Sequence, residues 1–108
     1  MNEAKEMDNH QLSERIAGLA SRVNNLAVNS TGDFSRQLLE QQNDLIDLTQ
    51  LAIVQDLDAS AEKYKDVLQK VEDAIEFLGD ASKKIENVSK AIKVVGSVIQ
   101  AATKLLKA

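Results

Sequence analysis

Among its 108 residues the chain has no cysteine, no proline and no tryptophan, and aromatic side chains make up only 3% of it. Without cysteine, neither a disulfide framework nor a thiolate zinc site can form. The lack of proline removes the residue that most strongly breaks a long helix. A chain with so few aromatic residues is poorly suited to form a sheet core or to stack on nucleobases. These absences favour an all-α protein.

The residue types that carry catalysis or bind metals are also scarce. His10 is the only histidine, and one imidazole cannot supply the three or four converging ligands of a zinc site. The four glycines are isolated from one another, so the sequence has no glycine-rich phosphate loop. Carboxylate pairs at helical spacing, such as Asp44 with Asp47, lie off the apolar stripes. We therefore expect no enzymatic activity, no cofactor and no metal.

The net charge of −4 is unevenly distributed. Residues 1–60 carry ten acidic and four basic side chains, a net of −6, whereas residues 61–108 carry seven and nine, a net of +2. From Lys83 onward the chain has six lysines against Glu86 alone, but neither arginine nor aromatic residues, which argues against a nucleic-acid partner. The polar, acidic start lacks the features of a secretory signal, so we expect a cytoplasmic protein. The longest uncharged run of the tail, residues 94–103, is half of the roughly 20 residues that span a membrane.

The strongest positive signal is a heptad pattern between Tyr64 and Leu106. Large apolar residues recur at every seventh position, and a second apolar series follows each of them by three positions. This alternation is typical of a coiled-coil seam, where one helix packs its apolar stripe against another. It predicts one long helix over residues 61–107. The predicted interaction seam consists of Tyr64, Val71, Leu78, Ile85, Val88, Ile92, Val95, Ile99 and Leu106.

Two shorter helices are predicted before the long one, over about residues 9–28 and 34–57, with residues 1–7 disordered. The intervening stretch, residues 29–33, is poor in helix formers and contains Gly32. If this stretch only kinks the chain, the protein is a hairpin of two long arms. If it reverses the chain, the first two helices pack on part of the third. Either way, residues 1–108 form one helical domain, a hairpin or a bundle.

The second predicted helix is apolar around an unusually wide arc. Its main stripe is widened by further apolar residues: Leu39, Ile46, Leu51, Ile53, Val54 and Leu57. A helix with so wide an apolar arc is usually buried on several sides. The sequence therefore predicts burial of this helix on several sides. Both the kinked and the reversed arrangement leave apolar surface for another chain.

These patterns predict a non-enzymatic interaction or assembly module that forms a homo-oligomer or binds a helical protein partner through its seam. The alternative is a peripheral membrane or membrane-perturbing protein, because the tail combines a wide apolar arc with a narrow cationic stripe. Its candidate lipid-facing lysines are Lys90, Lys93, Lys104 and Lys107. Lysines can equally extend from a packed bundle into solvent. The unbroken register of the seam favours the bundle over the membrane surface.

Overall fold

The computed structural model describes residues 2–55, 57–58, 60–81 and 88–107, and in these residues the protein is all-helical. The described part contains four helices: α1 Asn2–Val28, α2 Gly32–Val54, α3 Glu62–Ala81 and α4 Val88–Leu106. They pack together into a rod with extents of 46 × 21 × 19 Å. The all-α class and the packing of the helices into a bundle are therefore confirmed.

The predicted long helix over residues 61–107 is wrong, because two separate helices occupy this stretch. Lys63 and Val67 near the start of α3 line the same groove as Ala101 and Leu105 near the end of α4. The two helices therefore run antiparallel and pack on each other. The seam residue Ile85 lies outside the described residues.

Residues 29–33 reverse the chain rather than kink it. Gly32 has a φ of 62°, a left-handed conformation that glycine adopts without steric cost. Across the reversal, the Ser35 hydroxyl donates a hydrogen bond of 3.0 Å to the Ala27 carbonyl oxygen. The helix bounds also differ from the prediction. The first helix begins at Asn2, although residues 1–7 were predicted to be disordered, and α2 ends at Val54, before Leu57.

Small residues explain how closely α1 approaches α2, which is the most extensive helix contact in the described structure. Ser13, Ala20 and Ala27 recur at seven-residue spacing, and each is at most 5% exposed. Residues seven positions apart lie on nearly the same face of a helix, because their directions around the axis differ by only about 20°. This stripe of small side chains lets the backbones of the α1–α2 hairpin come close together.

The α1–α2 and α3–α4 hairpins stack side by side with like helices parallel. Between α1 and α3, Arg15 Nε lies 3.6 Å from Glu72 Oε2, and Ser21 lines a cleft together with Leu78. The two residues of each pair are 57 positions apart in the sequence. Between α2 and α4, the Gln41 amide donates to the Ile92 carbonyl oxygen at 2.8 Å and the Gln55 amide donates to that of Leu106. Both of these pairs are 51 positions apart. Constant offsets mean that α1 is parallel to α3, and α2 to α4.

One apolar core runs between the two hairpins, and each helix contributes a stripe to it. Fully buried side chains lie in every helix, and burying one such aliphatic side chain contributes roughly 1.5–3 kcal/mol. The largest of them are Leu12, Ile16, Leu19, Val23, Leu38, Leu45, Leu48, Val71, Leu78 and Val95.

Two glycines in different conformations give opposite predictions for substitution by alanine. Gly79 is helical in α3, and apart from its chain neighbours and the adjacent backbone of its own helix, no atom lies within 4 Å of an added Cβ. Gly79→Ala is therefore expected to stabilise the fold by about 0.4–1 kcal/mol, since alanine restricts the unfolded chain without strain. Gly32→Ala is expected to destabilise it by about 1–2 kcal/mol, because Gly32 is left-handed. Urea unfolding of both variants checks the pair, and a loss of stability in Gly79→Ala would contradict a helical backbone there.

Candidate interaction surfaces

Most residues of the predicted interaction seam lie in the core of the bundle. Ile92 and Ile99 are only partly buried and pack against this core from α4. The seam residues that are at most 3% exposed are Tyr64, Val71, Leu78, Val88, Val95 and Leu106. In this fold the seam therefore contacts the other helices of its own chain.

A different apolar stripe is left exposed on α2. Leu39, Ile46 and Ile53 recur at seven-residue spacing and are 44%, 41% and 54% exposed. Each follows directly after a residue that is fully buried, since Leu38, Leu45 and Ala52 are 0% exposed. One residue turns a helix by about 100°, so this outer stripe lies beside the core-facing stripe but outside the core. We call Leu39, Ile46 and Ile53 the outer stripe.

The outer stripe lies on the side of α2 that faces away from α4. Gln41 and Gln55 mark the side facing α4, because their amides donate to α4 carbonyl oxygens. At about 100° per residue, these two positions are roughly 140–180° around the helix from Ile46. The outer stripe is therefore about half exposed in the described structure, although burial on several sides was predicted for this helix.

Acidic residues also lie along α2, roughly 100–160° around the helix from Ile46 and so on a different side from the outer stripe. Asp33, Glu40, Asp44 and Asp47 are exposed, and Arg36 is the only basic residue of this helix. Arg36 Nη2 lies 2.7 Å from Asp33 Oδ1, so these two side chains pair with each other. Three carboxylates of α2 thus have no counter-charge on their own helix.

The opposite charge lies on α4 and at its end, where all four candidate lysines are exposed: Lys90, Lys93, Lys104 and Lys107. Residues 88–107 include no acidic side chain. Within the described residues, none of the four lysines lies within salt-bridge distance of a carboxylate. The buried side of α4 points the other way and contains Val88, Ala91, Val95, Val98, Ala102 and Leu106. The solvent-exposed side of α4 is therefore cationic, while its most apolar side faces the core.

Two shallow clefts between helices complete the candidate surfaces. The cleft between α1 and α3, about 340 Å³, is lined mainly by charged side chains, including Arg15 and Glu72. The two side chains of this pair are 43% and 42% exposed. Ion pairs screened by solvent in this way contribute little to the stability of the fold. The groove between α3 and α4, about 270 Å³, combines apolar Val67, Ala101 and Leu105 with a charged rim. Ligand pockets usually start near 300 Å³, so this groove suits a protein side chain better than a small molecule.

The described residues contain no cluster of three or more histidine, cysteine or acidic side chains that could hold a metal ion. None of the helices in the described part of the chain is long and apolar enough to cross a membrane. Comparison with protein-family models, with curated proteins and with solved structures found no match.

An aspartate in the core is expected to unfold the protein, whereas the same residue on the exposed side of α4 is not. Val95 is 0% exposed, and burying an unpaired carboxylate costs several kcal/mol. Lys93 is exposed two residues earlier on the same helix. Circular dichroism melting of Val95→Asp and Lys93→Asp checks this. Equal melting temperatures in the two variants would contradict the placement of Val95 in the core.

Proposed function

We propose that this protein is a non-enzymatic, cytoplasmic assembly module that associates with helical protein surfaces, including other copies of itself, through the outer stripe of α2. The observation that carries the proposal is the row of exposed apolar side chains at Leu39, Ile46 and Ile53. Single exposed apolar residues are ordinary on protein surfaces, but a row aligned along one helix face is typical of an interaction site.

The spacing of the outer stripe supports a helix as its partner. Side chains at every seventh residue present a straight ridge, which packs into the groove between residues of another helix. The seam of α3 and α4 has a different role in this proposal, because it holds the bundle together. The module therefore presents one apolar stripe to a partner while its other stripes stabilise its own fold.

Membrane binding through α4 is the second candidate, favoured by the four exposed lysines alone. Anionic lipids attract such a cationic surface. Insertion, however, requires apolar residues that face the lipid, and most of those of α4 are buried within the bundle, where α4 packs on α2 and α3. Exposing them means opening the bundle and losing the core contacts of this helix. The protein-binding candidate needs no such opening, since the outer stripe is already exposed.

Self-association is tested by placing a charge in the middle of the outer stripe. The wild-type chain is expected to form dimers or larger species at micromolar concentration, and Ile46→Asp is expected to weaken this association at least about hundredfold. The reason is that a buried, unpaired carboxylate costs several kcal/mol, and about 1.4 kcal/mol is a factor of ten. Sedimentation velocity provides the measurement.

Ser21→Asp is the matched control, because it adds the same charge at an exposed position of α1. It is expected to associate as the wild type does, and circular dichroism should show unchanged helicity in both variants. A wild-type chain that stays monomeric at every accessible concentration would rule out self-association. A foreign helical partner would then be the remaining form of the proposal.

The membrane candidate makes a different prediction. With the apolar side of α4 buried, we expect no co-sedimentation with neutral vesicles and none with anionic vesicles at physiological salt. At low salt, residual binding to anionic vesicles should disappear when Lys90, Lys93 and Lys104 are replaced by glutamate. Binding to neutral vesicles that persists at high salt would contradict the bundle and favour apolar insertion by α4.

A further inference from the structure

Exposed large apolar side chains lie on only one of the two hairpins. Within the described residues they are Val28 on α1 and Phe34, Leu39, Ile46, Ile53 and Val54 on α2. None of them belongs to α3 or α4. Apolar association is favourable in proportion to the apolar area that both surfaces remove from water. In the described structure, a second copy offers a matching apolar surface only on its own α1–α2 hairpin.

The outer stripe borders α1, so the two helices share one outward face. Ser35 lies about 20° around α2 from Ile46, and its hydroxyl donates to the Ala27 carbonyl oxygen of α1 at 3.0 Å. On α1, Ala17 and Asn24 lie about 40–60° around the helix from the stripe of small side chains that faces α2, on the side away from the core. A second molecule that covers the outer stripe therefore also reaches this uncharged side of α1.

The α2 part of this outward face is uncharged as well. Asn43 and Gln50 are exposed about 40–60° around the helix from Ile46. Arg36 lies about 80° away, and the carboxylates of α2 lie further round still. Burying an unpaired charge is costly, and covering this face buries none. The residues that define it, called the hairpin face below, are Ala17, Asn24, Leu39, Asn43, Ile46, Gln50 and Ile53.

The hairpin face is large enough for a stable dimer. With 23 residues, α2 is about 34 Å long. The bundle measures 21 × 19 Å across its long axis, so the α1–α2 side offers roughly 700 Å². Each partner in an interface of standard size buries about 800 Å². The outer stripe alone is much smaller than this, so a dimer requires α1 as well as α2.

We propose that two copies of this chain pair through their hairpin faces about a two-fold axis near Ile46, with their α2 helices antiparallel. This inference rests on the proposed self-association and names the surface that receives the outer stripe. Ile46 of one copy then packs on Ile46 of the other, and Leu39 packs on Ile53. Asn43 lies close to Gln50 of the other copy, and each amide has both donors and an acceptor for the other.

The alternative two-fold axis, directed along the helices, covers less apolar area. It would place the outer stripe of each copy on α1 of the other, against Ala17 and Asn24. The antiparallel arrangement instead packs leucine and isoleucine side chains on one another. A contact of the same surface with itself is complete at the dimer, so the assembly is expected to grow no further.

Disulfide formation tests this arrangement, because the natural chain has no cysteine. A disulfide requires two Cα atoms within about 7 Å of each other. Ile46→Cys alone is expected to give a disulfide-linked dimer, since residue 46 meets itself at the axis. Leu39→Cys and Ile53→Cys each lie seven residues from the axis, about 20 Å from the same residue of the other copy. Neither is expected to link alone, whereas an equimolar mixture of the two should link.

Ser21→Cys is the matched control, because Ser21 is exposed but lines the cleft between α1 and α3. It is expected not to link. Linking of Leu39→Cys and Ile53→Cys each with itself would contradict antiparallel pairing. If Ile46→Asp abolishes the wild-type dimer while Ile46→Cys fails to link, the two-fold arrangement is wrong, but self-association through the outer stripe stands.

Opposite charges at residue 46 provide a second test, which needs no cysteine. Ile46→Asp and Ile46→Lys are each expected to sediment as monomers with unchanged helicity in circular dichroism. An equimolar mixture is expected to recover dimers, because the axis places the two opposite charges together. Raising the salt concentration should weaken this mixed dimer but not the wild-type dimer, whose contact face is uncharged. No recovery in the mixture would contradict an axis near Ile46. A monomeric wild type at every accessible concentration overturns this inference and leaves only a foreign partner for the outer stripe.

Discussion

The packing of α2 against both α1 and α4 is the constraint on which the rest of the structure depends. Small side chains at Ser13, Ala20 and Ala27 let α1 approach α2 closely on one side. On another side, the amides of Gln41 and Gln55 donate to carbonyl oxygens of α4. With both neighbours in place, Leu38, Leu45 and Ala52 are fully buried. The same two neighbours leave Leu39, Ile46 and Ile53 of α2 about half exposed.

Parallel stacking of the hairpins has a consequence for how this protein can associate. A bundle with two-fold symmetry between its halves presents equivalent surfaces at both ends, whereas a shifted stack presents different ones. Here α2 carries four carboxylates and one arginine, whereas residues 88–107 carry four lysines and no acid. The two hairpins therefore present different surfaces to a partner.

The lysines of α4 suit a different partner in the folded bundle than they would on an isolated helix. On an isolated helix, a cationic stripe beside a wide apolar arc suits a membrane interface. In the bundle, Val88, Val95 and Val98 are at most 3% exposed, so the apolar arc is already occupied by neighbouring helices. The exposed lysines then form a charged surface on a folded protein. Such a surface suits an acidic partner.

The amino-acid sequence by itself determined the helical class, the apolar stripes and the break before α2, because these depend on local spacing and on glycine. It did not determine whether residues 61–107 form one helix or two. The heptad register of Tyr64 and Leu78 continues in phase at Ile92 and Ile99, so the spacing is the same for a straight helix and for a hairpin.

Only the tertiary structure decided which stripe of α2 is buried. The sequence does not distinguish the two members of an adjacent pair when both are apolar, as in Leu38 with Leu39 and Leu45 with Ile46. The positions of α1 and α4 bury the first of each pair completely and leave the second about 40% exposed (44% and 41%). Burial depends on which side of a helix its neighbours occupy, and that is a property of packing between segments distant in sequence.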